Sequence, residues 1–408
     1  MRSILSLALA LALLGAAPLA AQAPPTAPPA APATTAAPSK PWALNLRYRY
    51  EEVDTAAFAR DAQAHTVRLR GSYLFQFEQG WSALVEAEGV AELNDRFNSG
   101  ANNETAYPSV PDARALEINQ AYLDWRSPSF SARLGRQAIM LDNQRFFGNV
   151  GWRQNTQSFD AVQGQWNPSA TWDIRAFYVD RVHRIAGDNH RNPLARERDL
   201  DGRLLRVART LPGGSLVGYG YWVEDQDLAR DSFRTLGLRW SSTWALNPLW
   251  KAGLALETAT QRPWAGVAGG RSSYLLIEPR LEHGPLLFRA GFERLGAGNG
   301  RAFQTPLASL HGLHGWSDVI AAAPINGLED RYLSVQGGFR LLNRAATWHV
   351  AGHDFQSDHG VDYGSEWNAQ LGMTLRPGLN GLLKAADYRS DGFASDTRKI
   401  WLQLEWTH

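Results

Sequence analysis

Arginine is the residue type in this sequence best equipped for chemistry. Lys and Arg together number 41, yet lysine stands only at 40, 251, 384 and 399. A guanidinium stays ionised and presents a planar fork that matches a carboxylate. Several arginines stand two apart, as Arg47 and Arg49 or Arg68 and Arg70 do, and on an extended strand that spacing puts both on one face. The same parity gathers Arg175, Arg239, Arg280, Arg289, Lys251 and Lys384, together with Glu51, Glu78, Glu86, Glu88, Asp173, Glu257, Glu278 and Glu293. A row of such arginines attracts acidic solutes. Equally, wall arginines and wall acids satisfy one another, and about half are expected to do only that. Glu51 and Glu78, nearer the strand ends, are expected to cancel the field of the first four arginines only in part. The formal net charge is +1, which excludes the basic face of a nucleic-acid binder.

Other chemistry is thinly represented. His311-x-x-His314 with Asp318, and His349-x-x-x-His353, are the nearest approach to metal-ligand spacing. Loop packing or wall lining is the favoured reading of both, by roughly nine to one. With Cys 0, disulfides, thiolate metal sites and cysteine nucleophiles are excluded. No nucleophile elbow, phosphate loop or dinucleotide fingerprint occurs, and neither an enzyme nor a cofactor is expected.

The elements that must position these arginines are strands. From Trp42 to Glu51 the even positions are apolar or aromatic while the odd ones include Asn45, Arg47, Arg49 and Glu51. From Thr66 to Glu78, Val67, Leu69, Tyr73, Phe75 and Phe77 alternate with Arg68, Arg70, Ser72 and Gln76. One face suits lipid and the other water. About eighteen such stretches run to the last residues, each long enough to cross an apolar band of about 25 Å. Short turns at Gln79-Gly80, Ser127-Pro128, Asn167-Pro168, Pro212-Gly213-Gly214, Gly284-Pro285, Asn343-Arg344 and Pro377-Gly378 alternate with long connections at 94–114, 141–158, 184–201 and 296–329. That is the pattern of periplasmic turns and extracellular loops. The expected fold is all-β, a transmembrane antiparallel barrel of outer-membrane type over 42–408. Bulges are expected where the apolar parity changes, near Gln120 to Trp125 and at Gly135-Arg136. Trp42, Trp81, Trp240, Trp250 and Trp406, near strand ends, suit aromatic girdles.

Ahead of the strands, Arg2, the apolar run Ile4 to Leu14 and Ala21-Gln22-Ala23 read as a signal peptide over 1–23. Residues 24–41 form a Pro/Ala-rich stretch read as a periplasmic tail. The expected partners are outer-membrane lipid, an acidic polysaccharide or small acidic solute, and the barrel-insertion machinery during assembly. Mean hydropathy of −0.33 does not discriminate, because alternation hides a lipid face. From another class, a secreted β-rich carbohydrate-binding protein or enzyme would share the signal and the aromatics, though not lipid-length strands to the end.

Two motif blocks add a resemblance. Leu134-Gly135-Arg136-Gln137, Gly148-Asn149-Val150-Gly151-Trp152-Arg153-Gln154 and Ser158-Phe159-Asp160-Ala161-Val162 form the first. Ala302 to His311, Gly315-Trp316-Ser317-Asp318 and Gly327-Leu328-Glu329-Asp330 form the second. Both resemble the alginate export porin family. The resemblance implies an eighteen-stranded monomeric channel with an arginine-rich constriction that passes an acidic polysaccharide such as alginate outward. By motif it carries a place in the solute pathway onto Arg136, Arg153 and Asp160. Where the family carries a long periplasmic loop, Arg376 to Asn380 is a short turn. A general or substrate-selective porin for small acids or sugars is the alternative.

Overall fold

A computed structural model describes residues 40–408; the signal peptide and all but the last two residues of the Pro/Ala-rich tail lie outside them. The strands are β1 (Trp42–Thr55), β2 (Ala62–Gln76), β3 (Trp81–Glu92), β4 (Ala115–Arg126), β5 (Phe130–Gln137), β6 (Ser158–Trp166), β7 (Trp172–His183), β8 (Glu197–Leu211) and β9 (Gly214–Asp225). They continue as β10 (Phe233–Ala245), β11 (Trp250–Pro263), β12 (Ser272–His283), β13 (Leu286–Leu295), β14 (Leu328–Leu341), β15 (Arg344–Gln356), β16 (Asp362–Arg376), β17 (Leu379–Ser390) and β18 (Thr397–Thr407). Each pairs antiparallel with its neighbours in sequence, and β1 pairs with β18 through registers such as Arg47 opposite Glu405. The 18-stranded sheet is therefore closed, which leaves no free edge.

Alternation decides which way each residue points. In β1, Arg47, Arg49, Glu51 and Val53 are buried, whereas Leu44 and Leu46 are 37% and 42% exposed. Leu69, Tyr73 and Phe75 of β2, Leu236 and Leu238 of β10, and Leu402 and Leu404 of β18 are likewise exposed on the outside. That apolar outer band is a surface for lipid. Parity breaks where the sequence leads one to expect it in β4: Gln120 pairs with Glu86 and Ile118 with Ala87, so Asn119 is the bulged residue. At Gly135 the pairing of β4 with β5 runs on without a shift. Only the backbone twists there, with φ +122°, and a Cβ would lie 2.4 Å from the Ala121 carbonyl oxygen. The nearby bulge is on β7, opposite the step from Asp160 to Ala161.

The interior departs from a polar, water-lined tube. Three connections, 93–114, 138–157 and 296–327, fold back into the barrel at its long-loop end. Ile139, Leu141, Phe146 and Phe147 of the second and Phe303, Leu307 and Ile320 of the third form one core with Phe177, Tyr219, Tyr221 and Tyr274 of the wall. Phe146 stands 5.2 Å, 5.7 Å and 6.0 Å from the ring centres of Tyr219, Tyr274 and Phe303. Tilted and edge-on contacts of this kind stabilise beyond the area they bury. Phe97 and Val110 of the first connection cover Val53, Ala62 and Ala64.

Candidate functional site

On β1, β2 and β18 the inner wall meets the folded-in loops. Arg47 pairs with Glu405 at 3.0 Å and donates to the carbonyls of Gly151, Trp152 and Arg153. Arg68 reaches the same Glu405 at 3.3 Å. Arg49 donates to Gln403, lies 3.6 Å from Asp112 and stacks 4.0 Å from the centre of the Trp152 ring. Arg153, from the loop itself, donates to Glu51 at 2.8 Å and to Asp318 at 2.9 Å. Arg70 pairs with Glu88. The expected grouping of Arg47, Arg49, Arg68 and Arg70 on one inner wall thus stands, but their field does not reach solution as expected. Arg49 and Arg68 are 1% exposed, and the acids that answer them are Asp112 and Glu405. Glu78, expected to share in this, lies in the turn beyond β2.

Burial works against the charge of Asp318, yet His311, Lys399 and Arg153 outweigh it and hold the carboxyl well below the usual carboxylate range. Burial pushes the His311 imidazole down to about 3, against the pull of Asp318. Arg153 pays a desolvation penalty but rises above its ordinary value because Glu51, Asp112 and Asp318 surround it. The buried groups are therefore locked into a neutral histidine and ionised partners. Lys384 completes the cluster, its Nζ 4.0 Å and 3.9 Å from the ring centres of Trp152 and Trp316 and donating to His311 Nε2 at 2.6 Å. His314 instead contacts Glu293 at 2.7 Å, so the two histidines of the spaced motif serve separate partners rather than one ion.

Further round the wall, Arg175 pairs with Asp173 at 2.9 Å and Arg239 with Glu257, which also accepts from the Tyr219 hydroxyl. Arg206, missed in the sequence, bridges Asp142 and Asp173 at 2.7 Å and 3.1 Å. Its signal was masked because Leu200, Leu204 and Ala208, which share its parity, are buried in the apolar core.

Arg280 and Arg289 differ. They stand opposite one another in the register of β12 and β13, and among the described residues neither has a carboxylate within 4.0 Å. Arg280 leans across β11 and donates to Thr243 and to the Ser242 carbonyl on β10, while Arg289 leans the other way to Gln336 on β14. Like charges placed directly opposite destabilise a strand pair, and the two guanidinium groups splay apart. Glu278, on the same face as Arg280, is held by the Tyr332 hydroxyl.

Arg136 and Asp160 must be moved from the inner wall to the outer surface. Their neighbours Gln137, Phe159 and Ala161 are buried inward, whereas Leu134 and Val162, which share parity with Arg136 and Asp160, are 58% and 47% exposed. The two pair at 2.9 Å, and Asp160 also meets His183 at 2.9 Å. A motif fixes residue types and spacing, but side is set by the local alternation.

The sequence model of the alginate export family matches residues 40–199. No curated protein matches the chain. Among solved structures, Acinetobacter baumannii OccAB4 superposes with a TM-score of 0.67 at 12% identity, covering 90% of this chain and 97% of that one. Pseudomonas aeruginosa OpdK, solved with vanillate, gives 0.66 at 16% identity, covering 90% and 98%. Pseudomonas aeruginosa OpdQ gives 0.68 at 12%, covering 91% and 99%. Identities this low speak for the fold. The closed barrel, its apolar outer band and these likenesses together make the chain a channel of the bacterial outer membrane whose residues 40–199 match the alginate export family.

Proposed function

We propose that the barrel passes acidic solutes, with the long loops outside the cell and the short turns in the periplasm. The observation that carries this is the pair Arg280 and Arg289, register neighbours on the inner wall, neither with a carboxylate within 4.0 Å among the described residues. Arg49 and Arg153 hold loops in place, and Arg68 is taken up by Asn45 and Glu405 of the neighbouring wall strands. A cation left without a partner in a low-dielectric wall raises the local concentration of anions. Arg70, Arg175 and Arg239, part-exposed but paired with acids, extend the polar lining rather than the positive field. Small acids suit the geometry best, because three loops fill the long-loop half of the interior, and OpdK, a relative in fold, was solved with vanillate. Export of an alginate-like polymer is the second reading, favoured by the family match over residues 40–199; it requires the folded-in loops to swing aside. The channel acts as a monomer in either reading.

Flux into proteoliposomes separates these from a general porin. Glucuronate is expected to outrun glucose, with the margin shrinking as salt shortens the Debye length below about 10 Å. Equal flux of the two would remove the acidic-solute reading.

A further inference from the structure

Near the short-turn mouth, a pocket of about 410 Å³ opens on the inner wall between β8, β9 and β10, and Arg280 forms one side of it. Its lining is unusual for this barrel. Thr210, Ser215, Ser241 and Thr243 line it, all on the inward parity of their strands, around the glycine turn at 213–214. No acid is among the lining residues. Volumes of this order accommodate a small molecule rather than a chain.

Arg280 reaches the pocket only because of a glycine. It originates on β12, one strand beyond β11, and crosses directly over Gly253, its register partner. A Cβ at 253 would lie 2.3 Å from Arg280 Nε and 2.7 Å from its Cγ. The absent side chain leaves a channel in the wall through which the arginine lies flat and delivers its guanidinium to Thr243. Once there, Nε has no hydrogen-bond acceptor. A buried N–H without a partner is costly to maintain, so this placement of the side chain is held against a penalty.

We propose that this pocket is a binding station for a hydroxylated carboxylate the size of one sugar acid, with the carboxylate on Arg280 and the hydroxyls on the Ser and Thr lining. The inference rests on the acidic-solute reading and adds to it a discrete site with a hydroxyl requirement. A guanidinium alone would hold any anion. Side-chain hydroxyls, which both donate and accept, favour a polyhydroxy acid over a plain one, since hydrogen bonds matched in a polar site are lost with an analogue that lacks the group.

The test is single-channel recording in a planar bilayer with glucuronate, acetate or glucose added at the short-turn side, together with the reversal potential of the same channel. Glucuronate is expected to produce resolvable blocking events in the wild type, at concentrations at least tenfold below those needed with acetate or glucose. Gly253→Ala keeps every charge but displaces Arg280, and the Ser241→Ala/Thr243→Val pair keeps the guanidinium but strips its hydroxyl neighbours. Both are expected to weaken glucuronate block at least tenfold while the reversal potential stays anion-selective. Block that survives both variants, or acetate that blocks as well as glucuronate, would overturn the site and leave the anion channel standing. A wild-type reversal potential that is cation-selective would instead remove the reading beneath it, whatever the blocking data show.

Discussion

Arg153, on a loop that has folded into the barrel, donates to Glu51 on wall strand β1 at 2.8 Å, with both side chains buried. The same guanidinium reaches Asp318 of the second inward loop at 2.9 Å, so one side chain ties two loops to the wall. Removing it leaves Glu51 and Asp318 without their partner in a dry site, and loss of one member of a buried pair costs about 3–5 kcal/mol. Arg153→Gln is therefore expected to free both loops without dissolving the barrel. Heat-modifiable gel migration should be unchanged, while trypsin cuts within 138–157 or 296–327 and the conductance becomes larger and noisier. Quiet wild-type conductance with intact loops would show that the apolar core alone seats them.

Acid should have a related effect. His311 in place titrates near 3 rather than 6.5, so a displaced loop binds the proton first. Seating carries no penalty above about pH 6.5. It weakens progressively as pH falls towards 3, by about 2 kcal/mol at pH 5. Asp318 adds to this lower down: its carboxyl titrates below the usual 3.8 when seated, and that contribution is lost as pH falls past this value. Single-channel conductance and its noise should rise between about pH 6 and pH 4 as this loop is released. His311→Gln should be insensitive across that window; an unchanged acid response would assign the effect to other groups.

The outward position of Arg136 makes a third prediction. With its partner Asp160 it belongs to a charged patch on the external face beside Arg181 and Asp199. Arg136→Gln should leave ion selectivity unchanged and cost at most about 1 kcal/mol of stability, as for exposed pairs generally. A shift in reversal potential comparable to that of Arg289→Gln would place Arg136 back in the pore.

Much of the barrel is written in alternation, and the arginines that face inward were legible for the same reason. Arg47, Arg49, Arg280 and Arg289 each sit two residues from another inward residue, and strand geometry leaves them no other side. Their partners were not legible. Glu405 meets Arg47 across 358 positions of sequence, because the last strand closes on the first, and Asp112 reaches Arg49 on a loop whose inward fold no period announces. Arg49 and Arg68 consequently looked like the source of the pore's field and are instead buried supports. Replacing Arg49 should loosen loops more than it alters selectivity, and replacing Arg68 should weaken the β1–β2–β18 wall rather than the selectivity. Trp152, Trp316 and Trp401 escaped for a similar reason. Aromatic residues suit girdles in a barrel, yet Trp401 shares the inward parity of Lys399 and Gln403, is 0% exposed, and packs with Trp316 in a small interior cluster.

The central claim is that unpaired arginines, not net charge, make this an anion-selective pore. The most direct measurement is the zero-current potential across a bilayer holding the purified barrel under a potassium chloride gradient at low ionic strength. Wild type is expected to favour chloride, and Arg280→Gln/Arg289→Gln to abolish most of that preference with assembly intact. A wild type that favours potassium, or a double variant that keeps its full preference for chloride, would contradict it.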